Sequence, residues 1–262
     1  MKKLLSLFLV SVLSTSLFAQ DSSPAAAQDA PKVRLGLRAT PTINWMGFDT
    51  QHFKSSGVRM GAKFGLLMDA RLGKNYAIGT GLDFVMAGGI ASISDSVIKV
   101  NETDGIFDTI LMNQRTYKLQ YVEIPLTLKL KTNQIGYFTY FVQLGGSVGF
   151  NVSAKSIEAG KSLTTGKEYA ETVKLKAGLA SGSEVKLVRA EVNIGVGAEW
   201  AIQGNLGLLF GVSYHKGVTN VFNGSNKNLQ NYFKVPVNGT NTVSIQQKST
   251  NSYVAVDIAL LF

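Results

Sequence analysis

Residues 58–72 alternate without a break. One side reads Val58, Met60, Ala62, Phe64, Leu66, Met68, Ala70 and Leu72; the other reads Arg59, Gly61, Lys63, Gly65, Leu67, Asp69 and Arg71. Successive side chains of a strand point to opposite faces, so this period of two predicts a long strand with one apolar face and one small or charged face. The same split recurs over 33–45, 76–86, 121–130, 138–151, 188–200, 206–215 and 253–262, predicting eight strands in all. Their connections alternate in length. Residues 73–75, 132–135 and 203–205 suit tight turns, whereas 46–57, 91–114, 153–182 and 216–250 are long. Short turns at one end and long loops at the other are the mark of a transmembrane barrel, whose strands cross the bilayer in ~9–11 residues.

Periodicity alone does not say which face is outside, because a soluble ligand-binding barrel turns its apolar face inward. Three features point to lipid. The polar face carries glycines and charges, which suit a crowded lumen better than a water-facing surface. Apolar-face aromatics cluster at strand ends: Tyr76, Phe138, Trp200 and Phe262 at the turn end, and Trp45, Phe150 and Tyr214 at the loop end. These would form the two interfacial girdles. Phe262 closes an amphipathic last segment, as in the signal read by outer-membrane insertion machinery. The expected fold is all-β: an eight-stranded antiparallel transmembrane β-barrel with short periplasmic turns and long extracellular loops. The fourth strand breaks the pattern. Tyr117 and Leu119 lie at odd positions, yet the apolar face is even from Val122. Either a β-bulge near Tyr121 shifts the phase, or the upper part of that strand stands above the membrane.

Composition agrees. Charged residues make up 16% of the chain, against about 25% in soluble domains, and there are 27 glycines and 5 prolines. With no cysteine, disulfides, thiolate metal sites, cysteine nucleophiles and a lipid-modified N-terminal cysteine are all excluded. Lys2 and Lys3, an apolar stretch over 4–18 and the small residue Ala19 before Gln20 read as a secretory signal peptide over 1–20. An Ala-, Ser- and Pro-containing lead-in follows over 21–31, and the barrel occupies 32–262. The net charge of +9 in an exported protein suggests lipid phosphates or anionic polysaccharide rather than nucleic acid.

The lumen of an eight-stranded barrel is just wide enough for side chains to fill. The inward charges are Arg38, Arg59, Lys63, Arg71, Lys129 and Arg189 against Asp69, Asp83, Glu123, Glu191, Glu199 and Asp257. Equal numbers of the two signs predict a salt-bridge network, since buried charges must be paired. Ser213 and His215 share the inward face near the loop end, and with an acid such as Glu199 they raise the idea of a serine hydrolase at the barrel rim. Any Ser-x-His strand places both residues on one face, so the signal is weak. Two isolated histidines, His52 and His215, give no metal-ligand spacing. Gly160-Lys161-Ser162 resembles the end of a phosphate loop, but Lys155 stands where that loop requires glycine. No cofactor is expected.

The long loops carry what specificity there is. Asp104-Gly105 and Asn238-Gly239 each separate two strand-like runs, predicting outward hairpins. Val97, Ile98, Phe107, Ile110, Tyr232 and Phe233 are the candidate contacts for a partner.

The stretch Tyr121-Val122-Glu123-Ile124-Pro125-Leu126-Thr127-Leu128-Lys129 resembles the Tyr-hydrophobic-Glu-Ile-Pro-Leu-x-hydrophobic-Lys segment of the PorT-like outer-membrane β-barrel family. Phe-Ala-Gln at the end of the signal region fits as well. The resemblance implies an eight-stranded barrel without established catalytic residues. The family's namesake serves a secretion and gliding-type export system. The expected function is therefore a non-enzymatic outer-membrane barrel with a structural or interaction role, as an accessory subunit of an envelope or secretion complex. Its expected surroundings are outer-membrane lipid and lipopolysaccharide, the barrel insertion machinery during biogenesis, and an envelope protein met through the extracellular loops. The alternatives are a small porin-like channel and an outer-membrane lipid hydrolase.

Overall fold

A computed structural model describes residues 32–49, 53–103, 106–179, 183–223, 234–237, 241–244 and 248–262, of which 94–103, 106–109, 234–237 and 241–244 are described by their backbone alone. The predicted signal peptide and lead-in, His52, Tyr232 and Phe233 lie outside the described residues. Eight long strands form the barrel: β1 (Val33–Phe48), β2 (Arg59–Arg71), β3 (Tyr76–Thr103), β4 (Ile106–Lys131), β5 (Phe138–Ser162), β6 (Val188–Gln203), β7 (Leu206–Gly217) and β8 (Ser249–Leu261). Each pairs antiparallel with its chain neighbour. β8 returns to β1 with Gly36 opposite Leu261, closing the ring. Closure removes the sheet edges that lipid could not satisfy. Tight turns join β2 to β3, where the Gly73 amide donates to the Tyr76 carbonyl, and β6 to β7, where Gly204 adopts φ +57°.

Burial settles which face is outside. Leu66, Leu126 and Val196 are 56%, 63% and 57% exposed, whereas Lys63, Glu123 and Arg189 are 1%, 0% and 2% exposed. An apolar exterior around a charged interior is the reverse of a soluble protein and is what a lipid solvent selects. Trp45 stacks on Tyr214 at the loop end (6.1 Å between ring centroids), and Phe138 on Trp200 at the turn end (6.3 Å). Leu126 lies midway along the outward apolar run 122–130 of β4. Replacing it with arginine is expected to destabilise the barrel by about 2–4 kcal/mol, the figure for a cation at mid-bilayer. Chemical unfolding of the protein in lipid vesicles measures this, and the same substitution at exposed Lys118, on the outer face of β4 nearer the loop end, should change little.

β3, β4 and β5 have 28, 26 and 25 residues, against 12–16 in the other barrel strands. They rise beyond the girdles as an extracellular sheet. Glu168–Lys174 adds to β5, and Phe53–Gly57 adds to β3. A short hairpin of Lys234–Val237 and Asn241–Ser244 touches β3 at Ile98. Both expected outward hairpins are therefore present.

Of the two readings of β4, the second holds: the strand does not change phase near Tyr121, and its upper part stands above the membrane. Tyr117, Leu119, Tyr121 and Glu123 are all buried, so the odd positions face inward throughout this stretch. The irregularity near Tyr121 belongs to its neighbour: Gln120 pairs with Ser153 and Tyr121 with Asn151, leaving Val152 of β5 as the extra residue. Below that bulge β5 buries odd residues such as Phe141 and Asn151; above it β5 buries Ala154, Ser156 and Glu158. The outward residues of β4 beyond Val122 are Gln120, Lys118 and Thr116, so this part of the strand stands in water and its apolar residues turn inward.

The interior is consequently layered. A small apolar floor of Leu67, Phe141, Leu209, Ala259 and Leu261 shares the turn end with ion pairs. A polar middle follows. Above it Met46, Val85, Tyr117, Leu119 and Tyr121 from the strands meet Leu175, Val185, Val221 and Phe222 from the long loops in one apolar plug.

Candidate functional site: the filled lumen

Glu123 follows from its motif. Val122 and Ile124 face lipid, so the residue between them must face the lumen. Gly149 opposite makes the room: a Cβ there would lie 2.7 Å from Glu123 Cγ. Arg189 of β6 reaches the Glu123 Oε1 oxygen and also lies 3.1 Å from Glu191 Oε2. Its guanidinium covers the Tyr121 ring at 4.3 Å from the centroid and donates to Asn251 Oδ1 at 3.0 Å. Ser147 Oγ donates to the second oxygen of Glu123 at 3.3 Å. The Tyr, Glu and Arg are thus one unit, with the cation shared by two carboxylates and stacked on an aromatic face.

Glu191 continues the network. It accepts from Tyr253 Oη at 2.7 Å and meets His215 Nδ1 at 2.8 Å, and the His215 and Tyr253 rings stack at 4.3 Å. His215 Nε2 lies 3.0 Å from Ser213 Oγ, which donates to Asp257 Oδ2 at 2.6 Å. Thr40 Oγ1 donates to the other Asp257 oxygen at 3.3 Å. The acid beside His215 is therefore Glu191 and not Glu199. Glu199 lies toward the turn end, where it pairs with Arg34 (2.9 Å) and Lys131 (2.5 Å). A Ser–His–Glu arrangement exists geometrically, but a carboxylate only accepts, so the serine proton points to Asp257. Ser213, His215 and Asp257 are at most 5% exposed. The cavity bounded by His215, Asp257, Arg38, Lys63 and Lys129 measures about 20 Å³. That is room for about one water and for no lipid substrate.

Nearer the turns, Asp83 lies 3.2 Å from Arg38 and 3.7 Å from Lys63, and Asp69 lies 2.7 Å from Lys129 and 3.7 Å from Lys131. Of the twelve charges named from sequence, Arg38, Lys63, Asp69, Asp83, Glu123, Lys129, Arg189, Glu191 and Glu199 lie in these ion pairs. Asp257 is held by hydroxyls, Arg59 donates to the Ala87 carbonyl at 3.0 Å, and Arg71 is exposed at the turn end. The lumen charges named from sequence omit Arg34, which lies on the inward face of β1, and Lys131, one inward step beyond Lys129 in β4. They also omit the Arg115–Glu158 pair (3.1 Å), in which Glu158 falls in a stretch assigned to a loop and Arg115 just after another. Burial raises the nearby Glu184 carboxyl above its usual range, with Arg115 opposing.

Among the proposed partner contacts, Ile110 is fully buried in the plug and is not on a docking surface. It lies above the Asn113 bulge, where the inward phase of β4 is even. Val97, Ile98 and Phe107 sit on the β3–β4 extension. Among the described residues no group of three or more His, Asp or Glu side chains is placed to hold a metal ion.

A family model described as outer membrane protein beta-barrel domain matches residues 18–223. No curated protein matches the sequence. Solved structures similar in fold include neisserial surface protein A (8% identity, TM-score 0.37, covering 87% of this chain and 97% of that one). Ail of Yersinia pestis is similar at 9% identity, with a TM-score of 0.32 and coverage of 87% and 99%. The outer membrane protease OmpT of Escherichia coli is similar at 10% identity, with a TM-score of 0.32 and coverage of 92% and 99%. With a closed eight-stranded ring, a lipid-facing apolar wall and a family match over most of its length, this chain belongs to the outer membrane protein beta-barrel domain family and resides in the outer membrane of a Gram-negative bacterium.

Proposed function

We propose that this protein is a sealed, non-catalytic barrel that carries an extracellular sheet as an interaction platform, in the manner of an accessory subunit of an envelope or secretion complex. The observation that carries this reading is the packing of ion pairs and apolar layers in the lumen among the described residues, while three strands are prolonged beyond the membrane. A channel needs a continuous aqueous path, and here paired charges, a cavity of about 20 Å³ and an apolar plug occupy that path. A hydrolase needs a nucleophile that substrate can reach, and Ser213 is 1% exposed. The nine-residue stretch 121–129 supports a PorT-like affiliation, and residues 1–20 suit a signal peptide removed on export.

Two measurements on one preparation test the reading. Protein extracted gently from its native outer membrane is expected to carry a stoichiometric envelope partner. The same protein in a planar bilayer is expected to show no discrete current steps. Reproducible steps of uniform size from the wild-type barrel would establish a channel. Loss of a lipid-hydrolysing activity on His215→Ala, with the barrel still folded, would establish an enzyme.

A further inference from the structure

On the outer face of the extracellular sheet, Lys118 of β4 stands directly opposite Lys155 of β5. Lys155 in turn stands directly opposite Lys174 of the added strand Glu168–Lys174. All three side chains are exposed, and none takes part in the ion pairs of the described residues. Directly opposed residues of an antiparallel pair have Cβ atoms roughly 5 Å apart, and like charges there repel. The flanking rungs bring no relief. Gln120 and Ser153 lie on one side; Thr116, Ile157 and Thr172 lie on the other. The first acid along that face is Glu168, six residues from Lys174, which is roughly 20 Å away in an extended strand. Three adjacent strands thus present three ammonium groups within about 10 Å, with no carboxylate beside them among the described residues.

The row also has a defined depth. Phe150 and Val152, on the lipid-facing side of β5 just below it, are 44% and 55% exposed. Counting along a tilted strand, the lysines stand roughly 10 Å above the Phe150 girdle. Headgroups add about 5–8 Å to each side of the hydrocarbon, so the reach of a lysine stem brings these ammonium groups to the headgroup phosphates.

We propose that Lys118, Lys155 and Lys174 form a binding site for the phosphate of a phosphorylated glycolipid in the outer leaflet. A single tetrahedral anion offers oxygens in several directions, which suits three flexible point-charge donors better than planar bidentate recognition. The placement rests on the long strands being extracellular, and it is independent of whether the lumen conducts. The ligand relieves the repulsion across the three strands and ties the edge strand Glu168–Lys174 to the membrane surface.

The test uses the full-length protein in detergent, titrated with bisphosphorylated lipid A and followed by native mass spectrometry. Wild type is expected to retain the lipid. The triple variant Lys118→Gln, Lys155→Gln, Lys174→Gln is expected to bind roughly a hundredfold more weakly, from the contribution of each surface lysine to anionic lipid binding. The triple arginine variant should hold the lipid, and lipid A stripped of its phosphates should not bind. Heat-resistant electrophoretic mobility shows that each variant remains folded. Equal retention by wild type and the glutamine variant overturns the proposal, as does equal binding of the dephosphorylated lipid. Binding of tripolyphosphate as tightly as lipid A overturns the lipid source and makes a soluble polyphosphate the ligand.

Discussion

Arg189→Ala is expected to cost the barrel about 3–5 kcal/mol, enough to abolish folding in a marginal protein. The cation sits between Glu123 and Glu191, and both carboxylates are at most 3% exposed. Removing it leaves two anions in the lumen held by the Ser147 and Tyr253 hydroxyls and His215, with Lys63 beyond the Tyr253 ring, and the loss also strips the guanidinium from the Tyr121 ring. Unfolding by guanidinium in lipid vesicles, with folded protein followed by its electrophoretic mobility, gives the number. The comparison that isolates the cause is Arg189→Met combined with Glu123→Gln and Glu191→Gln. If unpaired charge is the damage, this triple change is far milder than the single one. If the single and triple variants are equally unstable, packing of the arginine stem matters more than its charge.

Phe222→Ala is the second large effect, expected at about 3–5 kcal/mol for a fully enclosed phenyl ring. Phe222 is 1% exposed, packs against Tyr117 at 5.0 Å between centroids, and comes from the segment just after β7. It therefore fastens a loop into the mouth of the barrel. The same variant bears on the sealed lumen. Hydrogen exchange should accelerate across 218–223 and the 175–187 loop while the amides of β6 and β7 below stay protected. Uniform acceleration through the whole barrel would mean that plug and wall unfold as one unit.

Much of this was legible in the alternation of residues. Eight strands and their tight turns follow from a period of two that runs for ten or more residues, because a bilayer demands a continuous apolar exterior. Glu123, Arg189 and Glu191 were legible as lumen residues for the same reason. The upper layer was not. The rule that apolar residues face outward holds only where the solvent is lipid; above the girdles the solvent is water, and the rule inverts. Tyr117 and Leu119 obey the aqueous rule, so they looked like a slipped phase although β4 keeps one inward parity from Arg115 to Lys129 and shifts only higher up, at Asn113. Upper β5 was hidden by two effects together: the Val152 bulge changes its inward parity, and its inward face carries Ser156 and Glu158 while its outward face carries Ile157 and Ala159. Leu175, Val185, Val221 and Phe222 lie in segments without period, where nothing local says which way a side chain turns. The acid beside His215 was misassigned because cross-barrel neighbours depend on stagger between strands, which no single strand encodes.

The seam between β1 and β8 sets a kinetic condition. Gly36 meets Leu261 and Leu37 meets Leu260, so the last hydrogen bonds to form join opposite ends of the sequence. Contacts so distant along the chain are slow to find, and the entropy of closing the loop is lost before they form. Until then the chain offers two unpaired edges and a wall of apolar side chains to any neighbour, which is the condition for aggregation in water. For a chain built this way the hazard lies before closure rather than after it, because the finished ring has no free edge while the open one has two.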